Sequence, residues 1–299
     1  MAEDIYGDST MDRRAKFRIS PDRRRTRYGF RIFLAVALIV AVVFYAFPGI
    51  DIWVEQFFHT EEAGWFLRKS AYALAFDHGI GTLSPVLFFG VLIVLVLSYL
   101  KWFRWLKPVR ASAMMLFLCL SIGAGIVVNE VLKENWGRAR PFSVVELGGT
   151  KTHTPPFVIS DQCSGSCSFV AGHPSAIFAF FGIALLFTGR RRTALVFAIA
   201  AFGLAAGFGR MIQGKHFLSD VIFSGVLMYL TAWCLHHIVT RFDLTRDIRG
   251  SPMALLGRGS AAAASRVRAA RARHGDGRIA TAVIGLALLV GAVAYLAFS

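Results

Sequence analysis

Residues 111–141 read ASAMMLFLCLSIGAGIVVNEVLKENWGRARP. The run 111–132 is apolar and long enough to cross a hydrocarbon core of ~30 Å at ~1.5 Å per residue. The rest is a polar cluster, Lys133 to Pro141, falling where such a helix leaves the bilayer. Comparable runs stand at 30–47, 82–100, 173–189, 193–209, 217–239 and 279–298. The chain has 299 residues, is 56% hydrophobic and carries a formal charge of +15. A basic balance alone would fit nucleic acid as a partner, but so apolar a composition points to the bilayer instead. The expectation is an all-α, polytopic membrane bundle with a six-span core and a seventh span near the C-terminus.

Four segments follow: a basic cytoplasmic tail at 1–29, the core at 30–240, a basic linker at 241–278 and the last span at 279–299. Most of the 33 Lys and Arg residues lie in the tail, after the second and fourth spans, and in the linker. Short loops rich in Lys and Arg stay in the cytoplasm, so the N-terminus is expected inside. The first span lacks a small-residue cleavage site and reads as retained. The basic tails either set this topology alone or also touch anionic headgroups. Between the first two spans, 51–81 reads as an amphipathic interfacial helix or as a loop packed over the bundle. Within 241–278, the stretch 261–273 reads as a basic surface helix or as linker.

Cys119 and Cys234 fall within spans and read as small apolar packing residues. Cys163 and Cys167 fall in an outward loop, where an oxidising compartment favours a disulfide. A metal pair there would need further ligands, and none stands nearby at suitable spacing.

Charged groups beside lipid are costly, and here they come in three clusters. The first holds Lys133, Arg138 and Arg140, the second Gly172-His173, and the third Arg210, His216 and Asp220. Because successive spans alternate in direction, all three fall on one membrane face. His216 and Asp220 are four residues apart, which on one helix lets the carboxylate bond the imidazole and leaves the other ring nitrogen as nucleophile. The alternative is that Asp220 caps the helix start. Gly172 and Pro174 suit a helix N-terminus that binds an anion, with His173 as general acid or as an interfacial residue. Lys133, Arg140 and Arg210 suit the oxygens of a phosphoryl group, whereas Arg138 fits better as a side chain snorkelling to headgroups.

These residues resemble the type 2 phosphatidic acid phosphatase (PAP2) superfamily, whose signature runs K-x6-RP, PSGH and SR-x5-H-x3-D. Lys133 stands six residues before Arg140-Pro141, the second element reads Val170-Ala171-Gly172-His173, and the third reads Gly209-Arg210, His216 and Asp220. The resemblance covers roughly 111–239 and extends to the six-span core. It implies phosphoryl transfer in two steps, with no metal and no cofactor. His216 would form a phosphohistidine, Asp220 would orient it, and His173 would protonate the leaving oxygen and then activate water. Lys133, Arg140, Arg210 and the Gly172 backbone would hold the phosphate. The family's Pro-Ser is Val170-Ala171 here and its Ser before the arginine is Gly209, which removes a hydroxyl from the phosphate site. Ser168 and Ser175 are candidate substitutes.

The function so implied is a lipid phosphatase of a bacterial inner membrane, acting at the periplasmic face on a phosphorylated membrane lipid. The elements around Lys133–Pro141 and His216 are similar to those of lipid A phosphatases in this superfamily. Undecaprenyl pyrophosphate, phosphatidylglycerol phosphate, phosphotransfer to another hydroxyl and a non-catalytic lipid-binding role are the alternatives.

Overall fold

The structure is a computed structural model that describes residues 21–241. The linker and seventh span expected from the sequence lie outside the described residues. Helix α1, Pro21–Ala46, carries the apolar stretch Tyr28–Ala46. The remaining elements run α2 (Gly49–Gln56), a two-residue hairpin of β1 (His59–Thr60) and β2 (Gly64–Trp65), and α3 (Ala71–Leu97). A 3-10 stretch, Lys101–Val109, leads into α4 (Arg110–Leu118), which continues as a π-helix over Cys119–Lys133. After a long loop come α5 (Gly172–Phe178), α6 (Phe181–Ala184), α7 (Gly189–Met211) and α8 (Leu218–Arg241).

Among the described residues, five helices are long and apolar enough to cross a membrane. Lipid exposure follows the helical period. On α3, Leu83, Val86, Phe89, Ile93 and Val96 recur at three- and four-residue intervals and are all exposed, as a stripe facing lipid would be.

Two expectations change here. The second span begins earlier than 82, because Ser70 caps α3 by accepting a hydrogen bond from the Ala73 amide at 3.3 Å. Asp77 therefore lies inside a span rather than in the interfacial segment 51–81, whose first part is α2 and the small hairpin. The fourth span is also short. The apolar helix Gly172–Ala184 replaces the expected 173–189, and it is broken between α5 and α6. Along it Pro174, Ser175, Ala176, Phe178, Phe181 and Ala184 are all buried. Irregular backbone is tolerated at membrane depth when protein rather than lipid surrounds it.

Small residues let the neighbouring helices close on this centre. A side chain at Gly203 of α7 would collide with Phe178, and one at Gly207 with Val221 of α8. The C-terminal end of the π-helix, the start of α5, the end of α7 and the start of α8 meet at one end of the bundle.

Candidate active site

His216 lies at the centre of that end. It is fully buried, and its Nδ1 is 2.8 Å from the Ser168 carbonyl oxygen. A carbonyl only accepts, so Nδ1 carries the proton and Nε2 the lone pair. Nε2 is buried with no hydrogen-bond partner among the described residues. Burial pushes the His216 pKa well below the ordinary 6.5, and the charges of Lys133, Arg140 and Arg210 push it the same way.

The direct bond expected between His216 and Asp220 is not made. Nδ1 and the carboxylate are 3.9 Å apart. The four-residue rule needs both residues on one helix, and α8 begins only at Leu218. Asp220 instead accepts from the Phe217 amide at 2.9 Å, as a cap of the helix start, and from Ser168 Oγ at 2.5 Å. Ser168 therefore links the two residues: its hydroxyl reaches Asp220 and its carbonyl holds His216.

Arg138 departs furthest from expectation. It is fully buried rather than snorkelling. Its guanidinium donates to Asp220 at 2.5 Å, Asp51 at 2.8 Å, Ser219 Oγ at 2.8 Å and the Thr154 carbonyl at 2.8 Å, and stacks 4.5 Å over the Phe217 ring. Two buried carboxylates pull it inward and satisfy nearly its whole fork, which makes it a brace for the α8 start rather than a headgroup anchor. Beside this brace, Glu55 is buried with neither carboxylate oxygen hydrogen-bonded among the described residues. Burial, then the charges of Asp51 and Asp220, push its pKa well above the usual carboxylate range.

The other cations take different positions. The Lys133 ammonium makes no hydrogen bond or ion pair among the described residues. Its Nζ lies 2.9 Å from where a side-chain carbon on Gly172 would stand, so a larger residue there would push the ammonium back from the α5 terminus. Arg140 is held by the Ser166 carbonyl, at 3.1 Å to Nε and 2.6 Å to Nη2, and by Ser166 Oγ at 3.2 Å. Ser166 belongs to the turn closed by a Cys163–Cys167 disulfide, with Cα atoms 5.7 Å apart, which decides between the two readings of that pair. Arg210 pairs with Asp77 and meets Gln213 Oε1 at 3.2 Å, and its Nε is buried and unpartnered.

Asp77 was missed in the sequence. It also accepts from Lys215 Nζ at 2.8 Å and stands 3.5 Å from His173 Nε2, so one carboxylate gathers Arg210, Lys215 and His173. The available signal was its helical phase. Asp77, Gly81, Ser84 and Phe88 recur at helical spacing, and the last three line a cavity of about 300 Å3 between α3, the π-helix and α5.

Neither candidate serine replaces the missing hydroxyl. Ser168 is committed to Asp220 and Ser175 Oγ donates to the Gly172 carbonyl at 2.5 Å, and both residues are buried. Ala171 is buried in an apolar cluster with Met211 and Val221. A methyl group suits that packing where a hydroxyl would need a partner.

Residues 114–243 match the PAP2 superfamily. Over 217 residues the chain is 35% identical to a lipid A 4'-phosphatase of Francisella tularensis subsp. novicida, spanning 72% of this chain and 97% of the relative. The chain belongs to the PAP2 superfamily. It is 31% identical over 216 residues to a lipid A 4'-phosphatase of Rhizobium etli, covering 67% of this chain and 83% of that protein. A lipid A 4'-phosphatase of Rhizobium leguminosarum is 32% identical over 197 residues, covering 60% and 83%. No solved structure matches. The chain is thus a multi-pass membrane protein and a PAP2-type phosphoric monoester hydrolase acting on lipid. The PAP2 match contains all three polar clusters.

Proposed function

We propose that this phosphatase removes a phosphate monoester from lipid A at the periplasmic face of a bacterial inner membrane, through a phosphohistidine on His216. One observation carries the chemistry. The buried Nε2 of His216 has a lone pair and no partner among the described residues, its Nδ1–H rests on the Ser168 carbonyl, and three cations act on it.

In the first step Nε2 attacks phosphorus, the bond to the lipid oxygen breaks, and His173, whose protonation the negative charge of the bound phosphate favours, gives that oxygen its proton. Ser168 O stabilises the Nδ1–H as the ring becomes cationic. Lys133 Nζ, Arg140 Nη1 and Arg210 Nε are the donors left for the phosphoryl oxygens, whose charge spreads in the transition state. In the second step water attacks, His173 takes its proton, the P–N bond breaks and inorganic phosphate leaves. Asp220 acts indirectly, through Ser168, and Asp77 sets the position of His173 and Arg210. The Gly172 amide, at the α5 terminus, adds a donor for the anion.

The core at 30–240 carries this activity, and the tail at 1–29 and the linker at 241–278 belong to the cytoplasmic side. The basic stretch Lys101–Val109 follows the far end of α3, and Arg190 to Arg192 lie at the far end of α7 from Arg210. The positive-inside rule then puts the site outside. Lipid A as the substrate rests on the three relatives.

The test is purified protein in detergent with lipid A phosphorylated on both sugars, read by mass spectrometry. The expected product has lost one phosphate, and His216→Ala forms none. Intact lipid A alongside hydrolysis of a polyprenyl pyrophosphate would overturn the choice of lipid. Release from no lipid would overturn the reading entirely.

A further inference from the structure

His216 stands in the turn between α7 and α8, with Gly214 two residues before it and Phe217 directly after it. Three backbone hydrogen bonds shape this turn. The Gly214 amide donates to the Met211 carbonyl at 2.7 Å, and the Lys215 amide to the Arg210 carbonyl at 3.0 Å. The Gly214 carbonyl accepts from the Phe142 amide at 3.0 Å.

Trp65, half-buried in the small hairpin, covers the turn. Its partner across the hairpin is His59, whose ring lies 5.2 Å away, and its carbonyl accepts from the Arg68 amide at 3.0 Å. The indole therefore projects from a fixed backbone. It lies against Gly214, where any side chain would collide with it. Gly214 also has a φ of +70°, a left-handed conformation that disfavours residues with a Cβ. The same indole packs against the buried cluster of Ala139, Val144, Leu147 and Phe217. Trp65 thus presses on the chain on both sides of His216.

We propose that Trp65 is a positioning residue for the nucleophile: packed on Gly214 and on the Phe217 cluster, it holds the α7–α8 turn so that His216 Nε2 stays aimed at phosphorus. The inference rests on the phosphohistidine reading above. A nucleophile must be kept near its attack geometry, and a misplacement of ~1 Å can cost on the order of a hundredfold in rate. Without the indole the turn keeps its backbone bonds but loses the surface that resists rocking, and the 2.8 Å bond from Nδ1 to the Ser168 carbonyl loosens. Lys133 and Arg140 belong to other segments, so phosphate binding changes less than the attack does.

The test follows phosphohistidine formation by rapid alkaline quenching and peptide mass spectrometry, with purified full-length protein in detergent and lipid A phosphorylated on both sugars. Trp65→Leu is expected to form it about tenfold more slowly, with KM little changed. Trp65→Phe keeps a ring over Gly214 and should form it at nearly the wild-type rate. Gly214→Ala probes the same contact without altering the indole and should also slow the step. The double variant Gly214→Ala with Trp65→Leu should be hardly slower than Gly214→Ala alone, because one contact can be lost only once. A wild-type rate in either Trp65→Leu or Gly214→Ala would overturn the inference. So would a change confined to KM, or losses that multiply in the double variant. If wild type forms no phosphohistidine, the reading of His216 fails instead, and the inference with it.

Discussion

His216 and Arg138 illustrate how far a residue's surroundings decide its chemistry. Free imidazole protonates near 6.5, but burial and three nearby cations keep His216 neutral well below that pH. A nucleophile needs its lone pair, so kcat/KM should hold as pH falls through 6.5 and decline only at markedly lower pH. Lys133→Met removes one of the depressing charges and should move that acid limb to higher pH. An acid limb near 6.5 in wild type, unmoved in the variant, would contradict this account of the site. Arg138 has a structural part instead. Removing it leaves Asp51 and Asp220 buried without their common partner, so Arg138→Met should destabilise the fold by about 3–5 kcal/mol. Denaturant unfolding in detergent measures this. Arg140→Met should leave stability nearly unchanged and lower phosphate release. From sequence, the residue types and spacings of both groups were legible. The inward pull on Arg138 was not, because Asp51 lies far away in the chain and nothing local marks it as a partner.

At the scale of elements, hydropathy located the membrane helices, since lipid exposure imposes an apolar surface that composition reveals. It failed at two ends. The start of α3 is set by the Ser70 cap and carries Asp77, a charge that an apolar-run reading excludes. The α5–α6 segment is apolar because protein surrounds it, not because it crosses alone, and composition cannot separate those causes. The π-helical winding of Cys119–Lys133 has no sequence signal that we recognise. The loop before α5 acts through the disulfide turn. Ser166 clamps Arg140, its amide donates to Glu134 Oε1 at 3.1 Å, and Cys167 N donates to the Lys133 carbonyl at 3.1 Å. Opening the turn should loosen Arg140 more than His216. Cys163→Ser combined with Cys167→Ser is therefore expected to raise KM roughly tenfold, the scale of the lost hydrogen bonds, with a smaller change in kcat. A loss confined to kcat would argue against Arg140 as the clamped phosphate ligand.

For the molecule as a whole, charge asymmetry along the chain gives a direction that the fold alone does not. A cysteine replacing Trp102, which is 92% exposed in the basic stretch, should react with an impermeant maleimide only once the cytoplasmic side is opened. One replacing the exposed Glu61 at the site end should react from the periplasm, in a Cys234→Ser background. The reverse pattern would place the site in the cytoplasm. Clusters far apart in sequence were expected to meet because spans alternate, and the structure brings Lys133, Gly172, Arg210 and His216 to one end. The central claim is that His216 accepts the phosphoryl group. Rapid alkaline quenching of wild-type protein during turnover of a phosphorylated lipid, followed by peptide mass spectrometry, tests it directly. A phosphoryl group on His216, absent from His216→Gln, is the predicted result. Turnover with no phosphoenzyme, or with the phosphoryl group on another residue, would contradict it.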